Sequence, residues 1–255
     1  MSGTPFKDHF SARAAEYARH RPLYPARLAQ WLAGIAPTRA LALDCGCGAG
    51  QLATQLAAHF ERVVATDASA DQLRHAQAHP RVHYHVARAE DSGLPGHSVD
   101  LLSAAQAAHW FDLPAFYAEA RRVLRRDGVL ALVSYGVPEL DGAAGLALRE
   151  IHDRMLGAYW PPERAHVRSG YRTLDFPFEA LPAPALRMQA RWSLEQLLGY
   201  LRTWSALRGA EAARGAGAWV EVHEHLRRAW ESEGPAGDAR CIDWPLSLRV
   251  ARMPG

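Results

Sequence analysis

Between residues 40 and 135 the apolar positions keep two rhythms in turn: short unbroken runs, then stretches with a period near 3.6. That alternation predicts strands separated by helices. Residues 40–44 read as a strand, and 50–60 as a helix with Leu52, Leu56 and Phe60 on one face. A strand at 62–67 precedes a helix opened by Ser69-Ala-Asp-Gln72, a capping-box spacing. Further strands fall at 81–87 and 98–105. Asp112-Leu-Pro114 opens a helix that a glycine stop at Arg125-Arg-Asp-Gly128 ends, and a buried strand at 129–135 follows. Strands alternating with helices predict a parallel sheet covered on both faces. Right-handed crossovers then bring Gly46, Asp67, Glu90, Gln106 and Tyr135 to one edge of it, where ligands bind.

The flanks are less regular. Residues 1–38 read as amphipathic helix, with Phe6, Phe10, Tyr17, Leu28, Trp31 and Leu32 near helical spacing and a break at Arg21-Pro-Leu-Tyr-Pro25. Such a segment can close over a site. Beyond Gly136, a helix is expected at 143–158, a loop-rich stretch from Tyr159 to Pro184, and a strand at 186–192. Ser193-Leu-Glu-Gln196 caps a helix running through Trp204, a further helical stretch covers 211–232, and 241–252 closes as a strand. The expected organisation is one domain: a helical lid (1–38), a cofactor-binding core (39–135), a variable substrate-side region (136–240) and a closing strand (241–255).

The richest segment is Leu41-Ala-Leu-Asp44-Cys-Gly46-Cys-Gly48-Ala-Gly50, followed by Val63-Val-Ala-Thr-Asp67. Alternating glycines let a backbone approach a ligand where a Cβ would collide, and the next helix offers unpaired N–H groups at its start. Asp67, at the end of the second strand, suits a ribose diol. A dinucleotide fingerprint needs a glycine where this chain has Gln51, which disfavours a dehydrogenase. The acid before the turn, Asp44, suits a ligand ending in an ammonium group, as S-adenosylmethionine does.

Composition narrows the class further. The 255 residues are 49% hydrophobic and 22% charged, with a net charge of +2, and they show no basic stripe of the kind nucleic acid requires. No run is long and apolar enough to span a bilayer, and residues 1–9 have no apolar leader, so a cytoplasmic protein is expected. Cys45, Cys47 and Cys241 read as small buried hydrophobes. Asp71, His75 and His79 share a helical spacing, yet neither a His-Glu-x-x-His run nor a Cys-x-x-Cys pair accompanies them, and no metal is expected. His83 and His85 alternate on a strand as half-exposed side chains.

With these motifs the chain resembles the class I S-adenosylmethionine-dependent methyltransferases, in the branch that includes trans-aconitate methyltransferase-like proteins. The resemblance also rests on Phe10-Ser-Ala-Arg-Ala-Ala-Glu-Tyr17, Ala89-Glu90, Ser98-Val-Asp-Leu-Leu, Gln106-Ala-Ala-His-Trp-Phe-Asp112, Arg121-Arg-Val-Leu, Tyr171-Arg-Thr-Leu-Asp-Phe-Pro-Phe178, Tyr200-Leu-Arg-Thr-Trp-Ser205 and Trp244-Pro-Leu. Arg126-Asp-Gly128 departs from the family's usual Pro-Gly-Gly. The resemblance implies an α/β, Rossmann-like seven-stranded sheet, mostly parallel with an antiparallel last strand. It further implies that Asp67 and the adjacent Ala68 hold the ribose, Ala89 and Glu90 border the adenine, and Asp44, Gly46, Gly48 and Gln106 line the methionine end. Tyr17 and Arg21 would approach from the lid.

Methyl transfer from a sulfonium needs an aligned acceptor and a dry site more than a dedicated catalytic group. An ionised carboxylate acceptor needs no base, whereas a phenol or amine would use one, for which His109 is the best-placed side chain. The expected acceptor pocket comprises His109, Trp110, Tyr135, Tyr171, Arg172 and Trp204. Carboxyl O-methylation of a small molecule is the leading expectation, with S-adenosylhomocysteine as co-product. N- or C-methylation of another metabolite and a cofactor-binding pseudoenzyme with a regulatory role are the alternatives. A monomer or homodimer is expected, with no nucleic-acid or membrane partner.

Overall fold

The computed structural model describes residues 20–254. In chain order the main elements are α1 (Ala26–Ile35), β1 (Leu41–Cys45), α2 (Gln51–Leu56), β2 (Arg62–Asp67), α3 (Ala70–Arg74), β3 (Val82–Val86), β4 (Val99–Ala105), α4 (Leu113–Val123) and β5 (Leu124–Tyr135). There follow α5 (Gly142–Glu150), α6 (Arg164–Arg168), β6 (Arg187–Trp192), α7 (Leu194–Arg202), α8 (Ser205–Arg214), α9 (Gly217–Glu231) and β7 (Arg240–Arg252). The described strands form one seven-stranded sheet in the order β3-β2-β1-β4-β5-β7-β6. The first five run parallel, and β7 is antiparallel to both β5 and β6.

Central strands buried on both faces sort their side chains with period two. Ala42, Val63, Leu101, Ala131 and Val133 pack under α1, α2 and the late helices, whereas Leu43, Val64, Leu102, Leu130 and Leu132 pack with α4. At the lower end of the sheet the buried Asp100 accepts hydrogen bonds from the Thr38 hydroxyl and the Ala40 and Leu41 amides, and pairs with Arg125 at 3.0 Å. These contacts tie β1 to β4 and so fix where the glycine turn begins.

Several boundaries differ from the sequence expectation. The helix after Asp112 ends at Val123 rather than at Gly128, because the His97 and Ser98 amides take the last helical carbonyls of Arg122 and Val123, and Leu124 pairs at once with Val99. Asp127, at φ +58°, lies within β5. Helix α3 stops at Arg74, so His75 and His79 lie beyond it and share no helical face with Asp71. The expected helix at 143–158 divides into α5, a π-helical turn at Ile151–Met155 and a 3-10 turn at Gly157–Tyr159. The stretch at 211–232 is likewise broken, by Gly215 at φ +77° between α8 and α9. Cys45 and Cys47 are buried as expected, but Cys241 is exposed at the start of β7. His83 and His85 are both exposed on the outermost strand β3. Residues 1–19 of the lid expected at 1–38 lie outside the described residues.

Candidate active site

The upper ends of β1, β2, β4 and β5 enclose a cavity of about 390 Å³, within the range of a small-molecule site. Its floor is the glycine turn. Gly46 (φ +65°) and Gly50 (φ +85°) occupy left-handed conformations, and a Cβ on Gly46 would sit 2.5 Å from the Ala107 Cβ. On Gly48 (φ +56°) a Cβ would meet nothing nearer than 3.8 Å, so this glycine leaves open space above the turn.

The Asp67 carboxylate closes the turn from β2. Its Oδ2 accepts the Gly48 amide and its Oδ1 the Ser69 amide, both at 2.9 Å. A carboxylate has about four acceptor directions and can accept hydrogen bonds from a diol. Asp44 is 1% exposed and accepts from the Ser103 hydroxyl at 2.7 Å. Burial raises its pKa to about 7, aided by the nearby Asp67 charge and opposed by the Ser103 hydrogen bond. A cationic group in the cavity would relieve that penalty. Gln106, at φ +55°, donates its amide to the Tyr135 carbonyl at 3.0 Å, while its buried Oε1 has no hydrogen-bond partner among the described residues. A buried carbonyl oxygen of this kind on a cavity wall calls for a donor from a ligand. Two acids and an unsatisfied amide oxygen around a glycine cradle fit a ligand that carries a ribose and an ammonium group.

On the opposite wall Glu90 accepts the Asp112 amide at 2.9 Å and pairs with Arg88 at 3.1 Å, which sets the loop carrying Ala89. Arg21 donates to the Tyr135 hydroxyl at 2.8 Å and lies over the Tyr200 ring at 5.2 Å. Gln55 donates to the Tyr24 carbonyl at 2.7 Å and anchors this segment to α2.

At Gln106 the cavity adjoins a pocket of about 20 Å³ lined by Arg21, His109, Trp110, Trp160, Arg164 and Trp204. His109 sits on a 3-10 turn (Ala108–Trp110), is 6% exposed, and shares a 2.9 Å hydrogen bond between its Nδ1 and the Tyr171 hydroxyl. Burial, reinforced by the charges of Arg164 and His166, holds its pKa well below the ordinary histidine range, so the imidazole is neutral at pH 7. Trp160 stacks between Arg164 (4.9 Å) and the buried His152 (4.9 Å), and Trp204 packs against Trp160 at 5.3 Å.

Of the residues expected at the site, Arg21, Asp44, Gly46, Gly48, Asp67, Ala68, Ala89, Glu90, Gln106, His109, Trp110 and Tyr135 all line the larger cavity. Trp204 lines the smaller one. Two acceptor residues need correction. Arg172 is exposed and lines neither cavity, because the chain leaves α6 with this side chain facing outward. Tyr171 is fully buried and lines neither cavity, and its hydroxyl meets His109. Tyr17 lies outside the described residues. Glu163, Arg164 and Trp160 belong to the site without having been expected there. The sequence around Trp160-Pro-Pro162 signalled only a loop, and the fold of that loop is set by distant packing.

A model of the methyltransferase domain family matches residues 43–132, the span from β1 to β5. A Dictyostelium discoideum protein provisionally named a methyltransferase is 32% identical over 244 residues, covering 94% of this chain and 92% of the relative. A solved structure of a type II methyltransferase, so described provisionally, from Anaeromyxobacter dehalogenans is 47% identical with a TM-score of 0.84, covering 92% of this chain and 99% of that one. The malonyl-[acyl-carrier protein] O-methyltransferase of Dechloromonas aromatica is 40% identical over 113 residues, covering 43% of this chain and 41% of that protein. With near full-length similarity on the same fold, the chain belongs to the class I S-adenosylmethionine-dependent methyltransferases.

Proposed function

We propose that this enzyme transfers the methyl group to a carboxylate oxygen of a small acceptor. The observation that carries this reading is the cavity wall around His109, where two guanidiniums, Arg21 and Arg164, and a neutral imidazole stand among Trp110, Trp160 and Trp204. Guanidinium groups suit carboxylates, and surrounding aromatic rings keep water out and strengthen that attraction. When bound, S-adenosylmethionine supplies a methyl already activated on a sulfonium. In this reading Asp67 and Ala68 hold the ribose, Ala89 and Glu90 border the adenine, and Asp44, Gly46, Gly48 and Gln106 receive the methionine end. Arg21, next to Tyr135, lines both compartments.

A carboxylate is ionised at neutral pH, so the residues need only hold and align it. A histidine with a depressed pKa is a weak base, which also favours an acceptor that needs none. The resemblance over 113 residues to an O-methyltransferase acting on a malonyl group points in the same direction. The test is incubation with methyl-labelled S-adenosylmethionine and a panel of small di- and tricarboxylates, followed by mild alkali. Label released as methanol supports a carboxyl ester. Label that survives in the product marks methylation of another atom than a carboxylate oxygen and overturns the reading.

A further inference from the structure

We propose that Tyr171 is a positioning residue that fixes the tautomer of His109, so that a neutral Nε2–H is presented to the acceptor carboxylate. This rests on the carboxylate reading above. After α6 the backbone passes through two consecutive left-handed residues, Gly170 and Tyr171, both at φ +61°. Glycine adopts that conformation freely, but for a bulky residue it is rare and persists only where neighbours enforce it. Here they do. The Tyr171 amide donates to the His166 carbonyl at 2.8 Å, and Arg249 of β7 donates to the carbonyls of Tyr171 (2.9 Å) and Leu174 (2.7 Å). The constrained backbone carries a fully buried ring to His109, where the hydroxyl meets Nδ1 at 2.9 Å.

His109 lines both compartments of the site, whereas Tyr171 lines neither. The phenol therefore reaches the imidazole from the protein side and leaves Nε2 for the ligand side. A neutral imidazole has one N–H, and the partner of the other nitrogen decides where that hydrogen sits. If the phenol donates to Nδ1, the hydrogen is on Nε2 and faces the acceptor as a donor. If the imidazole donated to the phenol instead, the Nε2 lone pair would face a carboxylate and repel it. The groups around the ring are Arg164 and His166 on α6, Tyr171 beyond it, and Arg21 and Glu163 on the cavity wall. Burial, with Arg164 and His166 nearby, keeps the ring neutral, and Tyr171 then sets which nitrogen is protonated. His109 thus acts as a donor rather than a base.

The test uses the full chain labelled with ¹⁵N-histidine and a long-range ¹H–¹⁵N correlation spectrum. The expected spectrum has His109 Nε2 protonated and Nδ1 bare, unchanged from pH 6 to 8. Nδ1 protonation in the wild type, or an averaged pair of tautomers, would overturn the proposal without any variant. In Tyr171→Phe the two nitrogens should average, and the KM for a methylated di- or tricarboxylate should rise about threefold to tenfold, with S-adenosylhomocysteine affinity unaltered. His109→Gln, which keeps an N–H near the Nε2 position, should retain most of the turnover that His109→Ala loses. An identical spectrum and KM in Tyr171→Phe would sink the role of Tyr171 alone. If no carboxylate in the panel is methylated, the acceptor reading fails, and the nitrogen spectrum still decides whether Tyr171 sets the tautomer.

Discussion

Asp44 shows how a single residue can favour ligand binding over stability. Its carboxyl is raised from 3.8 to about 7 by burial, so the folded chain retains a proton that the unfolded chain has released. Stability therefore falls as pH rises from about 4 to about 7 and levels off above that, by at most about 4 kcal/mol for a shift of this size. Replacing Asp44 with Asn removes the penalty while keeping an acceptor for Ser103. Chemical unfolding of Asp44→Asn should show a flatter pH profile and greater stability at pH 8, together with weaker S-adenosylmethionine binding by calorimetry. Lower stability at pH 8 would contradict the assignment. Gly46→Ala tests the cradle. The positive φ and the close Ala107 Cβ together should cost about 1–3 kcal/mol and weaken ligand binding, read from the melting temperature and a titration. At this scale the convergence of Asp44, Gly46, Gly48 and Asp67 on one cavity was legible in the sequence, because they lie on one continuous strand-turn-helix-strand unit. Of the expected acceptor residues, His109, Trp110, Tyr135 and Trp204 line the cavities and Arg172 and Tyr171 do not. The Tyr171–His109 contact spans 62 residues and depends on a left-handed backbone that no local motif announces.

Individual elements succeed or fail by how local their determinants are. Helix α7 carries both halves of the capping box expected from Ser193-Leu-Glu-Gln196: the Ser193 amide donates to Gln196 Oε1 at 2.9 Å, and the Gln196 amide donates to Ser193 Oγ. This helix supports Tyr200, which packs on Trp204 and Trp244. Ser193→Ala should lower stability by about 0.5–2 kcal/mol in a denaturant titration, with cofactor affinity unchanged. A loss of affinity would mean that α7 reaches the cavity more directly than its contacts indicate. The helix expected to run to Gly128 ends early for a non-local reason, since the His97 and Ser98 amides ahead of β4 take its last carbonyls. The expected helix at 143–158 continues as a π turn, a feature common near functional sites, and that turn places His152 against Trp160. Both differences arise from tertiary hydrogen bonding and packing, to which periodicity is blind.

The whole molecule is organised by its sheet. The parallel core and the antiparallel β7 were readable in the alternation of elements and in the family resemblance, and the described strands form that arrangement. Helices on both faces pack through two apolar clusters. We propose that the core, the late helices and the closing strand unfold together, since β7 lies between β5 and β6 and joins the substrate-side region to the core. Scanning calorimetry should give one transition, and two resolved transitions would separate the regions. No helix among the described residues is long and apolar enough to cross a membrane. The account depends above all on the cavity at the sheet edge binding an adenosyl ligand through the β2 carboxylate. Isothermal titration of S-adenosylhomocysteine into the wild type and Asp67→Ala measures this most directly. The account predicts saturable one-to-one binding that weakens by at least about tenfold in the variant, the loss expected from hydrogen bonds to a charged group. Equal affinity in both proteins, or no binding to the wild type, would contradict it.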